Sequence, residues 1–191
     1  PEIMQDSLAV IEEEADNLTD LIDSLLEVSR LQAGTFSLEV SEDVQLNRVV
    51  ESTARKFGSQ TEKHQIQVQF ADDFPPIWGD ERRLGQVMNI LISNAIKYSP
   101  DGGVIFIRGE VHPQHITVSV RDCGIGIPDY EQHRIFQKFS RLDNALSRKT
   151  EGTGLGLFLS KAIIEAHNGR IWFHKNPDGP GTTFTFSLPR N

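Results

Sequence analysis

Two hydrophobic periods alternate along residues 46–188, and that alternation limits the fold more than any other feature. Apolar residues recur at every second position in Ile66-Gln-Val-Gln-Phe70, and β-rich runs stand at 104–111, 115–121, 170–175 and 182–188. These runs read as strands. His112-Pro-Gln between the second and third predicts a hairpin. Leu46, Val49, Val50, Ala54 and Phe57, and then Leu84, Val87, Leu91 and Ala95, recur at helical spacing. They predict helices over 46–59 and from an Asp80 N-cap to Tyr98. A further helix is expected from about 155 to 167, stopped by Asn168-Gly169. Phe36-Ser-Leu-Glu-Val40 also alternates and reads as a strand, Pro75-Pro76 as a break, and 131–151 as polar loop or short helix. Strands and one-sided helices in this mixture predict a two-layer α/β sandwich: one mixed sheet with helices on one face.

A different pattern precedes this body. Residues 2–33 hold no Gly or Pro. Met4, Leu8, Ile11, Ala15, Leu18, Ile22, Leu25 and Ser29 alternate spacings of four and three, a seam for helix-on-helix packing. Gly34 ends the helix, so the expected domains are 1–34 and 35–191. Charge divides in a similar place: residues 1–63 carry 14 acidic and 5 basic side chains, whereas 64–191 carry 13 and 14. A net charge of −8 without a basic stripe argues against nonspecific nucleic-acid binding. The single cysteine, Cys123, excludes an intramolecular disulfide and suits a reducing compartment. No run of about 18 apolar residues suggests a membrane span, so no direct membrane contact and a cytoplasmic location are expected. Pro1 in place of an initiating Met reads as a piece of a longer chain.

Three clusters carry chemistry. Asn94, Lys97 and Tyr98 are three and four apart and share one helix face, where an amide, an ammonium and a phenol suit a metal ion and phosphate oxygens. Asp122-Cys-Gly124-Ile-Gly126-Ile127-Pro128 follows a strand. Its carboxylate only accepts, which selects a base with an exocyclic amine, and its glycines let backbone approach a ligand. Gly152-Thr153-Gly154-Leu155-Gly156-Leu157 feeds an apolar helix, aiming free N–H groups and the helix dipole at an anion. A basic stretch containing Arg134, Lys138, Arg141, Arg148 and Lys149 precedes it. Rival phosphate motifs fail: there is no Gly-Lys pair for a Walker loop, and neither glycine loop completes G-x-G-x-x-G. No His/Cys/Asp/Glu cluster has zinc spacing, and the six histidines read as surface or loop residues.

In this order the clusters resemble the Bergerat-type (GHKL) ATP-binding domain of sensor histidine kinases. Asn94-Ala-Ile-Lys-Tyr-Ser-Pro is similar to the asparagine box, Ile135-Phe-Gln-Lys-Phe-Ser-Arg141 to the phenylalanine box, and the two glycine loops to the glycine boxes. Gly181-Thr182-Thr-Phe resembles a terminal adenine-contact motif. Leu21 to Gly34 resembles the second helix of the dimerisation and phosphoacceptor hairpin. The resemblance implies ATP and Mg²⁺, with Asn94 on the metal, Lys97 and Arg141 on phosphates, and Tyr98 beside the nucleotide. It implies that Asp122 reads adenine N6, supported by Thr182 through water. Gly124, Gly126, Ile127, Lys138, Gly152, Thr153, Gly154, Leu155 and Gly156 would complete the nucleotide site. The segment 140–153 would be a lid. The γ-phosphoryl would pass to a histidine on the first hairpin helix, upstream of Pro1, for relay to a response-regulator receiver domain. The implied partners are that helix, a homodimer mate and the receiver. One position departs from the family pattern: Ile90 stands four before Asn94, where another polar residue is usual. The alternatives are a degenerate nucleotide-binding module or a Bergerat-fold ATPase.

Overall fold

The computed structural model describes residues 15, 18–19, 21–141 and 152–190. The chain divides into two compact units, Pro1–Ser37 and Leu38–Asn191. The first contains a helix over residues 21–32 (α1), with Ala15, Leu18 and Thr19 helical as well. It ends at Gly34, whose φ of +68° lies in the left-handed region, and the amide of Thr35 reaches back to the Arg30 carbonyl. Of the predicted seam, Leu18, Ile22 and Leu25 are 57%, 48% and 42% exposed. Met4, Leu8 and Ile11 lie outside the described residues.

The second unit runs β1 (Ser41–Val44), α2 (Leu46–Gly58), β2 (His64–Gln69), β3 (Ile77–Gly79), α3 (Glu81–Lys97), β4 (Gly103–Val111), β5 (His115–Arg121), α4 (Gly156–Ala166), β6 (Arg170–Lys175) and β7 (Thr182–Pro189). Five strands form a mixed sheet in the order β2-β4-β5-β7-β6. Only β2 and β4 are parallel; the β4–β5, β5–β7 and β6–β7 pairs are antiparallel. Register places Ile116 opposite Leu188, Val118 opposite Phe186 and Val120 opposite Phe184. All six are buried, so they share the core face with Ile105 and Ile107. The alternate positions are polar: Thr117, Ser119 and Arg121 face Ser187, Thr185 and Thr183. Leu84, Val87, Met88, Leu91 and Ile92 of α3 and Leu159, Ile163 and Ile164 of α4 are buried, completing a two-layer sandwich. Removing a fully buried aliphatic side chain from water is worth about 1.5–3 kcal/mol, so these stripes hold the helices to the sheet. Among the described residues no helix is long and apolar enough to cross a membrane.

The sandwich differs from its sequence-based outline in two places. The expected strand at 36–40 lies in irregular backbone, and the strand occupies Ser41–Val44 instead. It pairs antiparallel with the short β3, which directly follows the Pro75-Pro76 break, as a separate two-stranded sheet. The shift has a local cause: the Glu39 amide donates to Oδ2 of Asp80 at 2.9 Å rather than to a strand ladder.

Asp80 ties three segments together. Its Oδ1 accepts from the Arg83 amide at 3.0 Å, capping α3. Its own amide donates to Nε2 of His167 at 2.9 Å, just past α4. A backbone N–H can only donate, so Nε2 is the acceptor and the ring proton sits on Nδ1, 2.7 Å from the Ile163 carbonyl. His167 is therefore a buried structural residue, not the surface or loop histidine expected. His64 is half-buried, bridging Thr61 Oγ1 and the Ser99 carbonyl. Replacing His167 by Leu should leave the Asp80 amide without an acceptor and cost about 1–3 kcal/mol. Urea unfolding checks this, and an unchanged midpoint would remove the histidine from the fold's supports.

Candidate functional site

One stripe of α3 is buried and another is not. The first holds Leu84, Val87, Leu91 and Ala95. The second holds Ile90, Asn94, Lys97 and Tyr98, spaced by four, three and one, which a 3.6-residue turn brings to one side. Asn94 and Tyr98 line a cavity together with Asp122, Gly126, Ile127, Ile135, Ser140, Arg141, Leu157, Thr182 and Phe184. The cavity thus draws on α3, the loop after β5, the segment before residue 142, the first turn of α4 and the start of β7.

The loop after β5 is clamped to the end of α3. The Ile125 amide donates to the Tyr98 carbonyl at 3.0 Å. A Cβ on residue 124 would stand 2.1 Å from that same oxygen, so only glycine permits the approach. Asp122, 6% exposed, is held from its backbone and its side chain. Its amide donates to the Thr182 carbonyl at 2.9 Å. Its Oδ1 accepts from the amides of Gly124 and Thr182 at 2.9 and 3.0 Å. Thr182 therefore supports Asp122 directly through its backbone, because the β5–β7 pairing carries its N–H to the carboxylate. Both bonds fall on Oδ1, and Asp122 is among the residues that line the cavity. Burial pushes this carboxyl above its ordinary value, and the Gly124 and Thr182 amides draw it partly back.

The glycine loop before α4 sits against the same stripe. A Cβ on Gly152 would come 2.6 Å from Nζ of Lys97, and one on Gly156 would come 3.0 Å from Cγ2 of Ile90. Lys97 thus stands beside the loop rather than among the cavity-lining residues, and Ile90 packs on the first residue of α4. Asn89 bonds back to the Gly85 carbonyl at 3.0 Å, so it does not replace Ile90 at the site. A Cβ on Gly154 would lie 2.7 Å from the Phe139 carbonyl carbon, which places the 139–140 backbone over the loop. Thr153 Oγ1 accepts from the Leu155 amide at 3.2 Å, and Leu155 is fully buried. These two organise the turn and do not line the cavity. Lys138 is not among the cavity-lining residues, and its Nζ lies 4.9 Å from the centroid of the Phe158 ring. Arg148, Lys149 and most of the expected lid fall at 142–151, outside the described residues.

Sequence reasoning did not assign Ile135, Ser140, Leu157 or Phe184 to the site. All four stand inside the motifs named above, so a signal existed. Phe184 also packs with Phe136 and Phe173, at centroid distances of 6.3 and 5.8 Å, forming an aromatic floor beneath the cavity.

A family model described as "Histidine kinase-, DNA gyrase B-, and HSP90-like ATPase" matches residues 79–191. The chain is 35% identical over 188 residues to the sensor histidine kinase WalK of Bacillus subtilis, covering 95% of this chain and 30% of that protein. It is 38% identical over 179 residues to the sensor-like histidine kinase SenX3 of Mycolicibacterium smegmatis, covering 92% and 46%. The chain therefore spans less than half the length of either relative. The crystal structure of full-length ShkA in complex with AMPPNP superposes with a TM-score of 0.82 over 97% of this chain and 38% of that one, at 24% identity. That likeness concerns the fold.

The pKa direction of Asp122 makes a stability prediction. The folded protein holds this proton more tightly than the unfolded chain, so ionised Asp122 destabilises the fold at neutral pH. That cost is absent below the ordinary value of 3.8 and grows as pH rises through the folded value. Asp122→Asn keeps an Oδ1 acceptor and removes the charge. It should melt higher than the parent at pH 7, with the gap closing toward pH 4. Thermal melts across that range test it; an equal or lower melting point at pH 7 contradicts the argument.

Proposed function

The chain belongs to the histidine kinase-, DNA gyrase B- and HSP90-like ATPase family, and we propose that it is the ATP-binding catalytic part of a sensor histidine kinase. The observation that carries the reading is Asp122: a buried carboxylate pinned through one oxygen by two backbone amides, bordering a cavity with an aromatic floor. An acceptor so held suits the N6 amine of adenine and disfavours guanine, which offers a carbonyl there. Tyr98, Ile127 and Phe184 enclose the base. Lys97, beside Gly152, and Arg141 neutralise phosphate charge, and the backbone around Gly152, Gly154 and Gly156 faces the triphosphate at the start of α4.

Asn94 would offer a side-chain amide oxygen to Mg²⁺. Among the described residues no three His, Cys, Asp or Glu side chains gather to hold a metal. That fits an ion arriving on its nucleotide, since Mg²⁺ keeps waters and commonly takes one or two protein ligands plus phosphates. The work of these residues is positioning and charge neutralisation. The γ-phosphorus forms a bond to a histidine nitrogen as its bond to the bridging oxygen breaks, and ADP leaves. We assign residues 1–34 to the second helix of the dimerisation hairpin and 35–191 to the catalytic domain. The half-exposed Leu18, Ile22 and Leu25 are then the surface for the first hairpin helix, which carries the acceptor. Relay to a response-regulator receiver, homodimerisation and a cytoplasmic location follow from this assignment.

Ile90 favours a second reading, a nucleotide-binding module without transfer activity. It leaves no polar group where a second metal contact would stand. It also argues against a hydrolase, which needs a residue there to orient water. Metal dependence separates the two: a kinase domain should bind ATP more tightly with Mg²⁺ than with EDTA, whereas the module should not discriminate.

This chain with γ-labelled ATP and Mg²⁺ should bind nucleotide yet acquire no acid-labile label on its own histidines. Adding an upstream helix with its histidine should restore labelling, and Asn94→Ala in that longer protein should abolish it. Stoichiometric label on His64, His112, His115, His133, His167 or His174 would overturn the assignment. Asp122→Ala should weaken ATP about 10- to 100-fold, the cost of an unmade buried hydrogen bond, and GTP should compete poorly with the parent. Equal ATP and GTP affinities in fluorescence competition would remove Asp122 from its role.

A further inference from the structure

Asp122 lies one residue past the end of β5, where the strand ladder no longer supplies a partner for its carbonyl. That carbonyl accepts instead from Nδ2 of Asn176 at 2.7 Å. Asn176 directly follows β6 and is 8% exposed. The same Nδ2 donates to the Pro180 carbonyl at 3.0 Å, and Oδ1 accepts from Thr183 Oγ1 at 2.7 Å. One buried amide thus joins the end of β5, the 176–181 turn and the start of β7. Gly181 makes the arrangement possible: at φ +101°, its absent Cβ would stand 2.3 Å from the Asp122 carbonyl oxygen and 2.8 Å from Nδ2 of Asn176.

We propose that Asn176 is a positioning residue that sets base selectivity by fixing Asp122. The proposal rests on the reading of Asp122 as the adenine acceptor. With Asn176 in place, the amide, carbonyl and Oδ1 of Asp122 are all engaged by backbone or by a buried side chain. Backbone and carboxylate are thereby held in one arrangement, which limits how far the carboxylate can follow a misplaced or different base. Without it, the carbonyl loses its buried donor and the 176–181 turn loses its clamp. The Asp122 backbone can then shift and carry its carboxylate out of place, and the preference for a 6-amino purine falls. Asn is the side chain this requires. It offers two donor hydrogens to two carbonyls and one acceptor to a hydroxyl, whereas Asp would set a carboxylate against both carbonyls and close to Asp122.

The test compares ATP with purine riboside triphosphate, which lacks the 6-amine, by Mg²⁺-nucleotide fluorescence competition on the full chain. The parent should favour ATP. Asn176→Ala should weaken ATP about tenfold or more, change purine riboside triphosphate by less than about twofold, and so bring the ratio toward one. Thr183→Val removes only the hydroxyl that orients the Asn176 amide. It should move the ratio the same way by a smaller factor, and it serves where Asn176→Ala does not fold. In an Asp122→Asn background, Asn176→Ala should leave the ratio unchanged. A purely structural role would weaken both nucleotides equally or lower only the melting temperature, and that result overturns the proposal. A parent that does not discriminate between the two nucleotides overturns the adenine reading itself. A discriminating parent whose ratio survives both substitutions overturns the role of Asn176 alone.

Discussion

The rotation of α3 about its own axis is the constraint on which the rest depends. Its buried stripe meets the sheet through side chains with almost no solvent exposure, Leu84, Val87, Met88 and Leu91 among them. Turning the helix by one residue, about 100°, would expose several of these at about 1.5–3 kcal/mol each. The core thereby dictates where the other stripe points, and Asn94 and Tyr98 reach the cavity as a consequence. The N-cap at Asp80 fixes the axial position as the core fixes the rotation, because one residue caps α3, receives the Glu39 amide and binds His167.

The Asp122 end of the cavity works on a second principle. A strand that stops leaves backbone groups without ladder partners, and buried groups of that kind need others. At the end of β5, those of Asp122 find partners in Thr182 and Asn176. The Asp122 carboxylate is consequently held by the same bonds that close off the sheet. On the proposed reading, recognition and architecture share these hydrogen bonds, so a change in either disturbs the other. Burial in this setting raises the energy of the ionised carboxylate, the usual tension between a functional charge and a stable fold.

Ile90 shows the same economy in apolar form. It occupies the stripe of Asn94 and Tyr98, yet its side chain meets Gly156 at the head of α4. A polar residue there would face the glycine loop with a group to satisfy, whereas isoleucine fills the space by packing. At this point α3 is thus joined to α4 by apolar contact.

The local periods were legible in the sequence. The helices at 46–58, 81–97 and 156–166 and the strands of the main sheet follow from spacing, caps and glycine stops. The three chemical clusters were legible because their residue types are unusual at those spacings. Short pieces without a period were not: β3 has three residues, and the alternation of Phe36, Leu38 and Val40 misled because the Asp80 carboxylate takes the Glu39 amide. Nor did the sequence show which members of a motif face the cavity. Lys138 turns to Phe158 and Leu155 into the core, while Phe184 joins the site. His167 and Asn176 carry no local signal at all. Their partners Asp80 and Asp122 lie 87 and 54 residues away, and only the folded chain brings them within hydrogen-bonding distance. Local spacing decided which segments are helix or strand and which residues can do chemistry. Long-range pairing decided which of those residues meet, because a hydrogen bond across the fold depends on where the chain returns rather than on what its neighbours are.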